Sequence, residues 1–199
     1  MAQYQDYGWE NNELTCAHDY IIPTLVKLLP MDGSLILDVG CGNGAIANYL
    51  IKEGFNVFGI DASKSGIQIA NKSNPGRFFV QNIETNRLTE ELIQKKFSTV
   101  ISTEVIEHLY EPRKYISFVK QILIDSGGGC FIFSTPYHGY IKNLILALSG
   151  KLDDHFTVLW DGGHIKFRSR KTLTNLLKEF TLKLILFMVA EEYHTSGSQ

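Results

Sequence analysis

The chain has 199 residues, 44% of them hydrophobic, which suffices for one domain with a substantial core and argues against two. Its net charge of −2 gives no global basic footprint and so argues against a protein that lives on nucleic acid. Three cysteines, Cys16, Cys41 and Cys130, lie scattered without CxxC spacing, and an odd number favours a reducing compartment, the cytoplasm, over a disulfide framework.

No apolar run reaches the length of a membrane span, and residues 1–12 are polar and aromatic, so neither a spanning helix nor an export signal is expected. Apolar residues at helical spacing over 13–29 (Leu14, Ile21, Ile22, Leu25, Val26, Leu28, Leu29), ended by Pro30, predict a helix ahead of the first strand. Residues 35–44, Leu-Ile-Leu-Asp-Val-Gly-Cys-Gly-Asn-Gly, then read as a buried strand, a tight turn and a helix N-terminus at Ala45. Gly40, Gly42 and Gly44 carry no Cβ, so the turn can take positive φ and admit a ligand to the backbone. Asp38, just before them, suits a ligand bearing positive charge or hydroxyls better than a bare pyrophosphate. A second strand over 55–60 ends at Asp61, and Ser63 caps a helix to Asn71. A third strand, 77–81, runs into Asn82, an amphipathic stretch follows at 90–96, and a fourth strand spans 97–103. A helix over 111–124 and three glycines precede the fifth strand, 130–134, which Pro136 stops.

Between 137 and 168 the alternation breaks, which predicts an insertion over the site, a lid. Regular spacing returns with a helix over 171–180 and an apolar strand over 182–189. Strands alternating with helices predict a single α/β domain over 1–199, a doubly wound and mostly parallel sheet that binds ligands beyond its C-terminal strand ends. Asp61 falls about 20 residues after the glycine turn, where an acid can accept hydrogen bonds from both hydroxyls of a ribose. Asn82 sits within reach of an adenine edge, or merely caps a turn. The glycines alone are shared by several nucleotide-binding folds; the dehydrogenase pattern Gly-x-Gly-x-x-Gly is not met, because position 45 is alanine.

Taken together, Leu-Asp-Val-Gly-Cys-Gly-Asn-Gly, Gly-Ile-Asp-Ala-Ser and, at 102–109, Ser-Thr-Glu-Val-Ile-Glu-His-Leu resemble the class I S-adenosylmethionine-dependent methyltransferases over residues 35–189. The resemblance implies that Asp38 and the backbone of Gly40, Cys41, Gly42 and Gly44 hold the methionine moiety, Asp61 and Ala62 the ribose, and Asn82 with Ile83 the adenine. Thr103, Glu104 and Val105 would close that pocket, and S-adenosylhomocysteine would be the product. Cys41 then reads as a small residue in a tight turn, since an activated methyl donor requires no thiol nucleophile.

The segment Glu-Val-Ile-Glu-His-Leu looks like the quinone-biosynthesis O-methyltransferases, and also like the small-RNA 3′-end 2′-O-methyltransferases, in which such a motif and a later histidine hold a divalent metal. Glu104, Glu107 and His108 stand at i, i+3 and i+4, so a helical turn would aim all three at one crevice. His164 would be the fourth ligand, with His155 as competitor; the other reading is a histidine packed beside the cofactor and no metal. His108 and His164 are also the candidates for the base that deprotonates a hydroxyl acceptor. Tyr137 and His138 stand where substrate contacts arise, while Phe156, Trp160 and Phe167 either wall an aromatic pocket or pack the lid. Tyr4, Tyr7 and Trp9 either fold over the cofactor or pack on the sheet, and Lys142, Lys151, Lys166, Arg168, Arg170 and Lys171 read as a solvated basic face.

The activity expected is methyl transfer from S-adenosylmethionine to an oxygen of a small aromatic or quinone-like acceptor. RNA ribose 2′-O-methylation, another small-molecule methylation, or a non-catalytic cofactor-binding domain are the alternatives. Members of the resembled family usually finish with an antiparallel hairpin, whereas only ten residues follow 189. The last antiparallel strand is then absent or the chain cut short, and an edge so exposed predicts a dimer.

Overall fold

The computed structural model describes residues 8–11, 13–14, 17–83, 87–156 and 163–182. Five strands form one sheet in the order β3-β2-β1-β4-β5, with every pairing parallel: β1 Leu35–Val39, β2 Asn56–Asp61, β3 Phe78–Val80, β4 Phe97–Ser102 and β5 Cys130–Phe133. The near-continuous apolar run of β1 divides between the two faces of the sheet. Ile36 joins Val57 and Ile101 under α1 (His18–Leu28), α2 (Ala45–Lys52) and α3 (Lys64–Ser73). Leu37 and Val39 join Phe58, Ile60 and Val100 beneath α4 (Pro112–Asp125) and α7 (Arg170–Glu179). Burial on both faces is what a parallel sheet with crossover helices requires, and it accounts for strands that read as unbroken apolar runs.

Local signals fix the element ends. Ser63 Oγ accepts from Gly66 N–H (3.0 Å) and caps α3, while Ser169 and Thr172 close a capping box on α7. The first helix starts at His18 rather than at 13, and Leu14 lies outside it, 47% exposed. The stretch 90–96 is a run of turns, not a helix, although Leu92 is fully buried within it. Leu92 and Ile93 N–H groups both donate to Thr89 O and Lys95 N–H to Leu92 O, so short turns form that do not propagate into a helix. The strand expected over 182–189 falls, apart from Leu182, outside the described residues.

The insertion between 137 and 168 carries two helices, α5 (Tyr140–Leu148) and α6 (Leu152–Phe156). Its two ends are tied together: Tyr137 and Arg168 form a parallel bridge, and His138 N–H donates to Arg168 O (3.0 Å). No residue of α5 is buried, and Tyr140, Ile141, Leu144, Ile145 and Leu148 show an apolar face to solvent. Among the described residues no helix is long and apolar enough to cross a membrane.

Candidate cofactor and acceptor site

The strand order reverses between β1 and β4, and ligands of such sheets bind beyond the C-terminal ends at that point. Asp38 and the glycine turn leave β1 there, Asp61 ends β2, Asn82 follows β3, and Thr103 to Val105 follow β4. The turn is left-handed at Gly40, Gly42 and Gly44 (φ 81°, 53° and 74°), a conformation that L side chains resist. Gly40 and Cys41 N–H groups donate to Ile60 O (2.8 and 3.1 Å), stapling the turn to β2. A Cβ at Gly40 would lie 2.5 Å from Val105 Cγ2, so the segment after β4 roofs the turn closely. Cys41 is buried against Gly59, and burial pushes its thiol well above the usual range, as befits packing rather than nucleophilic chemistry.

Asp38 is 1% exposed and its Oδ1 faces no donor; burial, and then the nearby Asp61, push its carboxyl up to about 8. An orphaned buried acid at a ligand crevice is what a cationic group would neutralise. Asp61 Oδ2 accepts from Gly42 N–H (2.8 Å) and Oδ1 from Ser63 N–H (2.7 Å). A carboxylate so placed can accept from hydroxyls as well as from amides. Asn82 is exposed, whereas Gln81 before it is buried and braces the following loop, accepting from Thr89 N–H (3.0 Å) and donating to Arg87 O (2.8 Å).

The acidic motif is arranged differently from the expected helical turn. Only Ile106–His108 form a single 3₁₀ turn; Glu104 precedes it with φ +54°, a strained value for a residue with a Cβ. Its carboxylate accepts from Ser134 Oγ (2.6 Å), and burial raises its pKa. Glu107 is 1% exposed and accepts from Thr135 Oγ1 (3.0 Å); burial, then the Glu104 charge, push it up to about 8. No donor faces Glu107 Oε1, and the proximity of the Glu104 carboxylate adds to burial in disfavouring its charge. Glu107 O accepts from both Ile165 and Lys166 N–H (3.0 Å each), and this clamp sets His164 against His108, ring centroids 4.8 Å apart. Ligand atoms of Glu107, His108 and His164 lie within 4.8 Å of one another, and Glu104 is not in that group. His155 packs instead beside the buried His138 (5.7 Å), whose ring also lies near the half-buried Phe156 (5.9 Å) and the exposed Phe167 (4.8 Å). Burial, then Lys142, lowers His138 to about 4. Trp160 lies outside the described residues.

Arg168 corrects the reading of a solvated basic face. It is 7% exposed, donates to Ile106 O (3.2 Å), and stands close enough to Glu107 for that charge to raise its pKa against the lowering by burial. Asn43 was equally hidden in the sequence: it is buried in the glycine turn, accepts from Ala45 N–H (3.1 Å) and donates to Asn11 O (2.8 Å). The signal for it was an amide between two glycines at a helix start.

Sheet order and the glycine turn after β1 together define a Rossmann-like α/β domain. The model of the methyltransferase domain family matches residues 16–186, and the chain belongs to that family. It is 32% identical over 132 residues to the ubiquinone biosynthesis O-methyltransferase of Pasteurella multocida, covering 60% of this chain and 53% of that protein. To the enzyme of the same name from Dinoroseobacter shibae it is 28% identical over 160 residues, 77% of this chain and 62% of the relative. The chain thus spans between half and two-thirds of the length of these two relatives. Its fold is also that of the magnesium protoporphyrin IX methyltransferase of Synechocystis solved with bound S-adenosylhomocysteine (TM-score 0.56, 20% identity, 82% of this chain and 70% of that one).

Proposed function

We propose that the chain transfers a methyl group from S-adenosylmethionine to an oxygen of a small aromatic, quinone-like acceptor. The observation that carries this reading is the juxtaposition of two features at one sheet edge: the glycine turn with Asp38 and Asp61, and the Glu107, His108, His164 cluster on the segments after β4 and from the lid. In this reading Asp38 holds the methionine ammonium, Asp61 the ribose hydroxyls, and Asn82 with Ile83 the adenine. Thr103, Glu104 and Val105 bound the pocket.

Displacement at a sulfonium is in-line, so the chain's tasks are to align acceptor and methyl and to take the acceptor's proton. Burial, then His108, lowers the pKa of His164, keeping it neutral and able to accept that proton near neutral pH. Glu107, His108 and His164 also offer a divalent cation a donor set of suitable chemistry: a buried carboxylate oxygen lacking a donor and two imidazoles, their ligand atoms within 4.8 Å of one another. Such an ion, when bound, would lower the pKa of an acceptor hydroxyl. The exposed apolar face of α5 beside the site suits an acceptor with a lipid-like tail.

Incubation with S-adenosylmethionine and a panel of catechols, hydroquinones and RNA ends tests the reading. Formation of a methyl ether on a catechol or hydroquinone is expected. Cofactor binding without turnover of any acceptor would instead favour a binding domain, and methylation of RNA the ribose alternative. Exhaustive chelation should abolish turnover; full activity afterwards would remove the metal and leave His164 acting alone.

A further inference from the structure

The segment 8–11 lies across the glycine turn and α3. Trp9 N–H donates to Ser65 Oγ (3.2 Å), Ser65 Oγ pairs with Ser63 Oγ (3.0 Å), and Ser63 N–H donates to Asp61 Oδ1 (2.7 Å). The other oxygen of Asp61 accepts from Gly42 N–H (2.8 Å), so this run of bonds returns to the turn itself. Two residues after Trp9, the Asn11 carbonyl accepts from the Asn43 side chain (2.8 Å), which in turn accepts from the first amide of α2. The indole fills the angle thus enclosed. A Cβ at Gly42 would sit 2.8 Å from Trp9 Cζ2, and one at Gly66 2.9 Å from Trp9 Cδ1 and 2.6 Å from Gly42 O. A glycine in the first turn of a helix costs roughly 1 kcal/mol relative to alanine. At Gly66 it is required, because the turn and the indole both press on that spot.

We propose that Trp9 is a positioning residue for the methyl donor: its indole wedges the glycine turn and the start of α3 into the spacing at which Gly42 and Asp61 receive the cofactor. This rests on the cofactor reading given above. The indole packs on the turn at Gly42 and acts through it and the Ser65–Ser63–Asp61 run. If docking of the strap favours cofactor binding, cofactor binding favours docking by the same factor.

Calorimetry with S-adenosylhomocysteine tests this in three forms of the chain. Trp9→Ala should weaken binding roughly tenfold relative to the unaltered chain, within the ordinary range of coupling between sites. Trp9→Phe should recover most of the loss, and KM for S-adenosylmethionine should rise while KM for the acceptor stays. A merely structural role would move both KM values and be read as a fall in thermal midpoint without selectivity for the donor. With Trp160→Phe leaving Trp9 as the sole indole, its emission should shift on saturation with S-adenosylhomocysteine, a readout that stands even if Trp9→Ala fails to fold. A folded Trp9→Ala chain with unchanged affinity, or an indifferent Trp9 emission, overturns the proposal alone. Absence of binding by the unaltered chain overturns the cofactor reading and this inference with it.

Discussion

Burial, and then the nearby Asp61, push the Asp38 carboxyl up to about 8, which favours its protonated form at neutral pH in the free chain. A ligand that brings an ammonium group to it favours the ionised form, so binding must release a proton wherever the free carboxyl still carries one. Below about 8, affinity for S-adenosylhomocysteine should therefore rise with pH and level off above. Calorimetry at pH 6.5 in two buffers of different ionisation heat should read up to about one proton released per site, and Asp38→Asn should abolish the difference. Equal heats in both buffers with the unaltered chain would mean that Asp38 is already ionised. This residue was legible in the sequence because an acid directly before a glycine turn is a local pattern. Arg168 was not, since its burial depends on the Ile106 carbonyl and Glu107, about 60 residues away, and nothing in Lys-Phe-Arg-Ser distinguishes it from a surface cation.

At the scale of elements, every strand within the described residues was readable, and β1, β2 and β4 most plainly, because burial on both faces makes each a short apolar run. The acidic motif was misplaced because spacing at i, i+3 and i+4 presumes a helix, and a backbone at φ +54° breaks it at Glu104. That strain is testable: Glu104→Gly should be more stable than Glu104→Ala by about 1 kcal/mol, because both remove the carboxylate and only glycine accepts the left-handed region freely. Equal thermal midpoints would deny strain at this position. The lid resisted reading for another reason, that its apolar residues on α5 face solvent, so periodicity there marks a surface and not a core. Ile145→Asp should then leave stability within about 0.5 kcal/mol of the unaltered chain. The same change should raise KM for an acceptor with a prenyl tail but not for its tailless head group. A parallel rise for both acceptors would separate the α5 face from acceptor recognition.

For the whole molecule, the raised carboxyl of Asp38 has a sign that can be worked through. The folded state binds a proton that the unfolded chain has already lost above the ordinary carboxylate range, so stability is greatest at low pH within that interval and falls as pH rises toward about 8. Bound cofactor should reverse much of that slope. At a hundredfold excess over Kd, S-adenosylhomocysteine adds about 2.7 kcal/mol, or roughly 5 to 10 °C in thermal midpoint for a domain of this size. A midpoint unmoved by saturating ligand would contradict a site built into the folded sheet. In the proposed reading the sheet and the turn serve the donor, and the insertion serves the acceptor. Because Tyr137 and Arg168 are bridged to each other, the segment between them leaves and rejoins the body at adjoining points, and Glu107 O ties its second end down again at Ile165 and Lys166. Changes of length between these two anchors should leave the register of every strand in place. On the proposed reading, acceptor choice is thus written into a segment whose anchors are separate from the strands that hold the methyl donor.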